Sequence, residues 1–421
     1  MNYKRVLYSC VKVWLGSILK KLFYSFGVFL ALALLAVGWY FSGLIYETGL
    51  NPEFTESENV GTAEDRVIID SISADYIILN VEEEQWGPLL ENGIYGILGQ
   101  NGDAIVGKII SSDGALIKRE LLQVNGNLVS GDKISASGLI ADDGNGGYKI
   151  LGSSGWSGQA TDGIYTPASV SNLDYEDIYY ESEVGSFPAY LTSSGENGIV
   201  IFVHGFRGNY AREVFSLLRA KDLEEIGYRS MIISYRNDRG LPKDPSGIFQ
   251  YGVTEWADID AAIDKARKSN KNVILFGISG GGGPVSSWIE NTDDISKVSG
   301  IIYEAPVISF WESVEVNGAA RFPWLPESLF SYFKIVTELR YGVDFDSMDF
   351  REAVINTSIP TLLFHGDDDE WVPVEMSDLI AEAREKNLTY IRYENVGHVT
   401  SWNADPENYS FQLNKFLSSL D

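Results

Sequence analysis

Residues 272–290 run NVILFGISGGGGPVSSWIE: a short apolar strand, a serine set among glycines, and the start of a helix. Gly277–Gly281 is the only G-x-S-x-G in the chain. A serine on a sharp strand-to-helix turn is held in a strained conformation with its hydroxyl above the sheet edge. Flanking glycines remove side chains where the turn is tightest. The helix that begins there points N–H groups and a positive dipole end toward developing negative charge. A phosphate-cradling loop is the competing reading, but Gly280–Gly283 is followed by Pro284 and not by Lys-Ser/Thr. A chance serine in a glycine-rich loop is the other, and the surrounding chain decides.

On both sides of this stretch, from about Tyr179, strand and helix patterns alternate. GIVIFVHG (198–205), RSMIISY (229–235), SGIIYEAP (299–306), PTLLFHGD (360–367) and TYIRYENV (389–396) read as strands. Residues 210–227 and 254–269 carry apolar residues at helical spacing. This grammar predicts an α/β domain over 179–421, a mostly parallel sheet with helices on both faces. The chemistry-bearing residues fall at strand ends. The chain has three histidines, His204, His365 and His398, each beside a glycine. After the strand ending at Val203, the turn His204-Gly205-Phe206 is positioned to offer the Phe206 N–H alongside that of Gly280 as an oxyanion hole. The segment HGDDDEWVP (365–373) supplies carboxylates at a strand end, where one can orient an imidazole. The order Ser279…Asp369…His398 is that of a nucleophile-elbow hydrolase.

On these residues the segment 179–421 resembles an α/β-hydrolase, nearer the dipeptidyl-peptidase and monoglyceride-lipase-like branches than the HGGG lipases. YRND (235–238), TEW (254–256) and LFGIS-GGG (275–282) are similar to membrane-anchored actinobacterial serine hydrolases. The resemblance implies Ser279 as nucleophile, His398 as general base and then acid, and Asp369 as the orienting carboxylate. Asp369 stands four residues after His365, as H-G-x-x-D-x-x-V-P requires; Asp367 and Asp368 are its neighbours to exclude. Glu304, at the end of a strand, is the fallback acid. Gly280 replaces the usual Met, Leu or Gln, and four consecutive glycines are expected to loosen the helix start.

The implied reaction is two-step acyl transfer through an acyl-serine, with no cofactor and no metal. An ester is favoured over a thioester or amide, with peptidase activity second. An acyltransferase on envelope lipids would use the same residues, and a non-catalytic hydrolase-fold binding protein would have no need of all three. An aromatic-rich insert, about 306–351, carries Phe310, Trp311, Phe322, Trp324, Phe330, Tyr332, Phe333 and Tyr341. These rings either line a pocket for a small-molecule or lipid-like ester or simply pack the insert.

The first half of the chain has other patterns. Residues 22–46 carry no charge and are long enough to span a bilayer. Lys4, Arg5, Lys12, Lys20 and Lys21 lie in the segment 1–21 before them, and Glu47, Glu53, Glu56, Glu58 and Glu64 in a linker, 47–64, after them. The positive-inside bias predicts a cytoplasmic N-terminus and an extracytoplasmic remainder, attached to the cell membrane by one helix. A cleaved signal peptide would have a shorter apolar run ending at small residues, whereas Ala31-Leu32-Ala33 falls mid-run. Residues 65–150 read as a small all-β module, with Asn101-Gly102, Asp113-Gly114 and Asn125-Gly126 as type I′ turn candidates. A Gly/Ser-rich connection, 151–178, follows.

Over 421 residues, 59 Asp+Glu against 32 Lys+Arg give a net charge of −27, which excludes nucleic acid as a partner. Hydrophobic residues, at 45%, allow a large core without disulfides, and the single cysteine, Cys10, permits none. The sequence names no protein partner.

Overall fold

The computed structural model describes residues 3–52, 67–81, 88–137, 140–142, 147–151, 166–206, 214–384 and 386–420. Helix α1 (Tyr3–Ile45) runs on as a π turn over Tyr46–Leu50. Its 43 residues extend about 65 Å, and Phe23–Leu50 is long and apolar enough to cross a membrane. The basic segment is thus helical from residue 3, and residues 47–50 of the expected linker continue the helix. The linker over 53–64 and the Gly/Ser-rich connection over 152–165 lie outside the described residues.

A closed six-stranded barrel follows: β1 (Val67–Ile72), β2 (Tyr76–Asn80), β3 (Tyr95–Gly99), β4 (Gly102–Asp113), β5 (Leu116–Gly126) and β6 (Lys133–Ser137). The order is β1-β2-β5-β4-β3-β6, and pairing of Val67 with Ile134 closes it. Residues two apart, such as Ile77 and Leu79 or Tyr95 and Ile97, fill its interior. The expected type I′ turns are replaced by other geometry. Between β4 and β5 the loop is Gly114–Ala115, with positive φ at Gly114 alone, as in a II′ turn. Asn101 closes the β3–β4 loop without a positive φ, and Asn125-Gly126 ends β5. Short strands β7 (Ile140–Asp142) and β8 (Tyr148–Ile150) pair with each other.

The larger sheet comprises β9 (Tyr175–Ser182), β10 (Gly185–Thr192), β11 (Gly198–Val203), β12 (Tyr228–Ile233), β13 (Val273–Ile278), β14 (Gly300–Glu304), β15 (Thr361–Gly366) and β16 (Leu388–Tyr393). Their order is β16-β15-β14-β13-β11-β12-β10-β9. The run from β16 to β12 is parallel, and β10 and β9 add antiparallel strands at one edge. The sheet therefore begins at 175, before the expected boundary at 179.

The helices after the barrel are α2 (Pro167–Ser171), α3 (Val214–Glu225), α4 (Trp256–Ala266), α5 (Gly282–Asn291), α6 (Phe310–Arg321), α7 (Ser328–Tyr341), α8 (Arg351–Asn356), α9 (Val374–Ala383), α10 (Ser401–Ala404) and α11 (Pro406–Leu417). Alternate residues of each parallel strand serve opposite faces. Val200, Phe202, Ile274 and Phe276 pack with Leu217 of α3 and Leu413 of α11. Ile199, Ile201, Val273 and Leu275 pack with Ile259 of α4, Trp288 of α5 and Ile380 of α9. Two buried faces explain why these strands read as unbroken apolar runs.

The chain forms two compact units, Met1–Leu50 with Phe322–Asp344, and Asn51–Arg321 with Phe345–Asp421. In the smaller unit α7 lies along α1. Phe41 stacks on Phe333 at 4.5 Å and meets Phe322 edge-on at 5.1 Å. Tyr46 stacks on Tyr341 at 4.2 Å. The Arg340 guanidinium sits 3.6 Å over the Trp39 ring and donates to the Trp39 carbonyl (2.7 Å) and Ser42 Oγ (3.0 Å). Tyr332 donates to the Leu34 carbonyl at 2.9 Å, and a Cβ at Gly38 would come within 2.5 Å of its hydroxyl. Several insert aromatics are therefore committed to packing against α1. In the larger unit Phe310 and Trp311 pack on Phe345.

Candidate active site

Ser279 directly follows β13 and has φ of +50°, a left-handed conformation uncommon for a serine. A 3-10 turn over Ser279–Gly281 then leads into α5. The glycine run is where backbone meets backbone. A Cβ at Gly281 would overlap the Val203 carbonyl oxygen, and one at Gly283 would overlap that of Tyr251. The expected loosening of the helix start is thus countered by tight packing of neighbouring main chain against it.

His398 lies in the loop after β16. Its Nε2 is 2.8 Å from Ser279 Oγ and its Nδ1 is 2.7 Å from Asp369 Oδ2. Asp369, after β15, has a fully buried side chain, and that of His398 is 11% exposed. A carboxylate at Nδ1 fixes the proton there and leaves Nε2 to accept from the serine hydroxyl. Burial alone would raise the Asp369 carboxyl. The His398 charge and the hydrogen bonds from His365 and His398 outweigh it and hold the group below the usual carboxylate range. Oδ1 also accepts the N–H groups of Trp371 and Val372, both at 2.9 Å.

The other candidate acids stand apart from His398. Asp367 accepts from Arg392 Nη1 (2.8 Å) and the Asn395 N–H (2.6 Å). Glu304 is wholly buried, and among the described residues neither carboxylate oxygen has a partner at bonding distance. Burial pushes its carboxyl up to about 7, against the nearby Ser401 and Tyr409 hydroxyls and His365. The fallback acid therefore does not pair with His398.

The turn expected to carry the oxyanion hole crosses the serine. A Cβ at Gly205 would stand 3.4 Å from Ser279 Oγ, and one at Gly280 would stand 2.8 Å from the Phe206 nitrogen. His204 braces this turn from behind: Nδ1 meets the Gly205 carbonyl and Nε2 meets Asp238 Oδ2, each at 2.9 Å. Tyr235 stacks on its ring at 4.5 Å and donates to its carbonyl at 2.9 Å. Arg236 holds buried Asp258 with Nε (2.8 Å) and Nη2 (2.9 Å). The YRND motif is thus scaffolding for the turn beside the serine.

Three contributions escaped the sequence reading. His365 sets Nε2 3.2 Å from Asp369 Oδ2 and Nδ1 2.7 Å from Ser377 Oγ; its place four residues before Asp369 was the available signal. Glu255 of TEW accepts the N–H groups of Gln250 and Gly252, shaping the loop whose Tyr251 stacks on Phe206 and Phe310. Glu91, from the barrel, accepts from Thr400 Oγ1 at 2.8 Å, and no local pattern announces that contact. Beside Gly280 the ring walls of Phe206, Tyr235, Phe249 and Tyr251 enclose a cavity of about 10 Å³, room for one water. Among the described residues no three His, Cys, Asp or Glu side chains converge as a metal-binding group.

The model of the Alpha/beta hydrolase family matches residues 200–410. The uncharacterized peptidase YuxL of Bacillus subtilis (strain 168) is 23% identical over 272 residues, 58% of this chain and 38% of that protein. The match thus spans well under half the length of that relative. Among solved structures, the Pyrococcus furiosus esterase Pf2001 matches at 19% identity and a TM-score of 0.48, over 61% of this chain and 96% of its own. The esterase EaEST from Exiguobacterium antarcticum matches at 19% identity and 0.42, over 58% and 100%. A parallel sheet with helices on both faces, an elbow serine at the end of β13 and a family match over half the chain lead to one assignment: the protein belongs to the alpha/beta hydrolase family.

Proposed function

We propose that this protein is a membrane-anchored extracytoplasmic serine hydrolase that cleaves a carboxylic ester through an acyl-serine intermediate. The observation that carries the reading is the unbroken line Asp369–His398–Ser279, at 2.7 and 2.8 Å, ending on a serine with positive φ. Ser279 attacks the substrate carbonyl while His398 Nε2 takes its proton, and Asp369 steadies the imidazolium that forms. The Phe206 and Gly280 N–H groups receive the oxyanion; loss of one such donor typically slows a reaction about 10²–10³-fold. His398 then protonates the leaving alcohol, and water, deprotonated by the same imidazole, releases the acid.

The anchor reading rests on the apolar stretch Phe23–Leu50 and on the cations before it and carboxylates after it. With YRND and TEW, it also supports kinship to the membrane-anchored actinobacterial hydrolases. An amide substrate is the second reading, favoured by the similarity to a protein named as a peptidase.

Full-length protein in detergent micelles, treated with a fluorophosphonate probe, tests the mechanism. Wild type should label, and Ser279→Ala and His398→Ala should not. A folded wild type that stays unlabelled would remove the serine mechanism. Nitrophenyl esters against aminoacyl anilides separate esterase from peptidase, and added alcohol acceptors reveal acyl transfer.

A further inference from the structure

Opposite the serine, the His398 loop is met by the barrel. The connection between β2 and β3 brings residues 89–94 against residues 394–403. The Asn92 N–H donates to the Asn395 carbonyl at 3.0 Å, and the Ile94 N–H to that of Asn403 at 2.8 Å. Asn403 Nδ2 returns a bond to the Ile94 carbonyl at 2.9 Å. Glu91 Oε2 accepts from Thr400 Oγ1 (2.8 Å) and Tyr95 Oη (2.7 Å), while its carboxylate lies so close to Gly397 that any Cβ there would overlap it. The contacts to the second segment all land within five residues of His398, on both sides of it.

The barrel segment is itself shaped from within. Arg119 on β5 is fully buried, and its guanidinium joins β4 to the loop. Nη1 donates to the carbonyls of Leu89 and Glu91, both at 2.8 Å, and Nη2 to that of Gly93 at 2.7 Å. Nε is tied back to the Gly107 carbonyl on β4 at 2.9 Å. A buried cation satisfied by carbonyls of one loop fixes that loop's outline. The braced loop needs such support: Val399, a β-branched residue, has φ of +56°, and Asn395 has +57°. Conformations of that kind persist where surrounding structure over-determines them.

We infer that the barrel is a working part of the hydrolase, with Glu91 and Arg119 as positioning residues that hold the His398 turn in line with Ser279 and Asp369. This rests on the reading of His398 as the base. Burial and the charges of Glu91, Asp368 and Asp369 push the nearby Glu370 carboxyl up to about 8, a sign of how closely the barrel's carboxylate approaches this end of the site.

Full-length protein in nanodiscs, with fluorophosphonate labelling rates and p-nitrophenyl butyrate kinetics, tests the inference. Glu91→Ala should slow labelling and kcat about 10–100-fold, the scale of an ångström-level misplacement, with KM within about two-fold. Thr400→Val should do the same and Thr400→Ser should restore the rate. The double variant Glu91→Ala/Thr400→Val should lose much less than the product of the two single losses, because the Glu91–Thr400 bond is removed by both. Wild-type labelling by Glu91→Ala, even with a lowered Tm, would make the barrel a mere packing partner and overturn the inference. Losses that multiply in the double variant would also overturn it. If His398→Ala labels as fast as wild type, the base assignment fails first and the brace falls with it.

Discussion

Four donors converge on the carboxylate of Asp369: two imidazoles on one oxygen and two backbone N–H groups on the other. An amide can keep the backbone pair through its oxygen, but its NH₂ then faces the imidazole N–H of His398. Asp369→Asn should therefore still fold, with a lowered Tm because its NH₂ also faces His365 Nε2, flip the favoured His398 tautomer and lower kcat about 10⁴-fold, read as ester turnover of the folded variant. Glu304 presents the opposite electrostatics at the same sheet edge. Burial lifts its carboxyl to about 7, above the model-peptide value of about 4.5. The folded protein thus keeps a proton that the unfolded chain releases. The contribution of Glu304 to stability is greatest below about pH 4.5, declines as pH rises to about 7, and is flat above that, a change of about 3 kcal/mol. Glu304→Gln removes the ionisable group, so its Tm relative to wild type should rise between pH 5 and pH 8. An equal difference at both pH values would refute this account.

At the scale of elements, the glycine run shows what local pattern can and cannot reveal. Helix propensity alone says Gly281→Ala should stabilise the start of α5 by about 1 kcal/mol. The structure says the reverse, since the new methyl meets the Val203 carbonyl of the neighbouring strand, and overpacking of this kind costs about 1–3 kcal/mol. A lowered Tm is expected, and a raised one would mean that β11 does not approach as described. The same contrast governs the rest of the chain. The parallel strands and the strand-end positions of Ser279, Asp369 and His398 were legible because a buried parallel sheet imposes unbroken apolar runs and puts its chemistry at strand ends. Closure of the barrel by Val67 with Ile134 and the landing of Glu91 beside Gly397 were not, because both depend on contacts between segments distant in sequence; nor was the II′ turn, because an Asp-Gly pair does not fix which of its residues enters the two-residue loop. YRND was legible as a motif but not as a brace, since the role of Arg236 appears only once Asp258 is beside it.

For the whole molecule, the net charge of −27 and the helix at the N-terminus set opposite tendencies. The acidic body is repelled by anionic headgroups, so in the proposed anchored state attachment would fall to the helix. The orientation can be read with the single native cysteine. In protoplasts a membrane-impermeant maleimide should leave Cys10 unmodified and should label Glu290→Cys, an exposed position, in a Cys10→Ser background. Labelling of Cys10 alone would invert the orientation.

The packing of α7 on α1 has a practical corollary. A preparation shortened at Glu47 to gain solubility would discard the bed on which Phe322, Phe333, Arg340 and Tyr341 rest. Its insert would carry a raw hydrophobic seam, prone to stick to other copies or to collapse into new positions. Diminished turnover in such a fragment would report a broken fold and not distance from lipid. The leading helix is less a leash than a missing half of the insert, and the enzyme should be handled with both halves present.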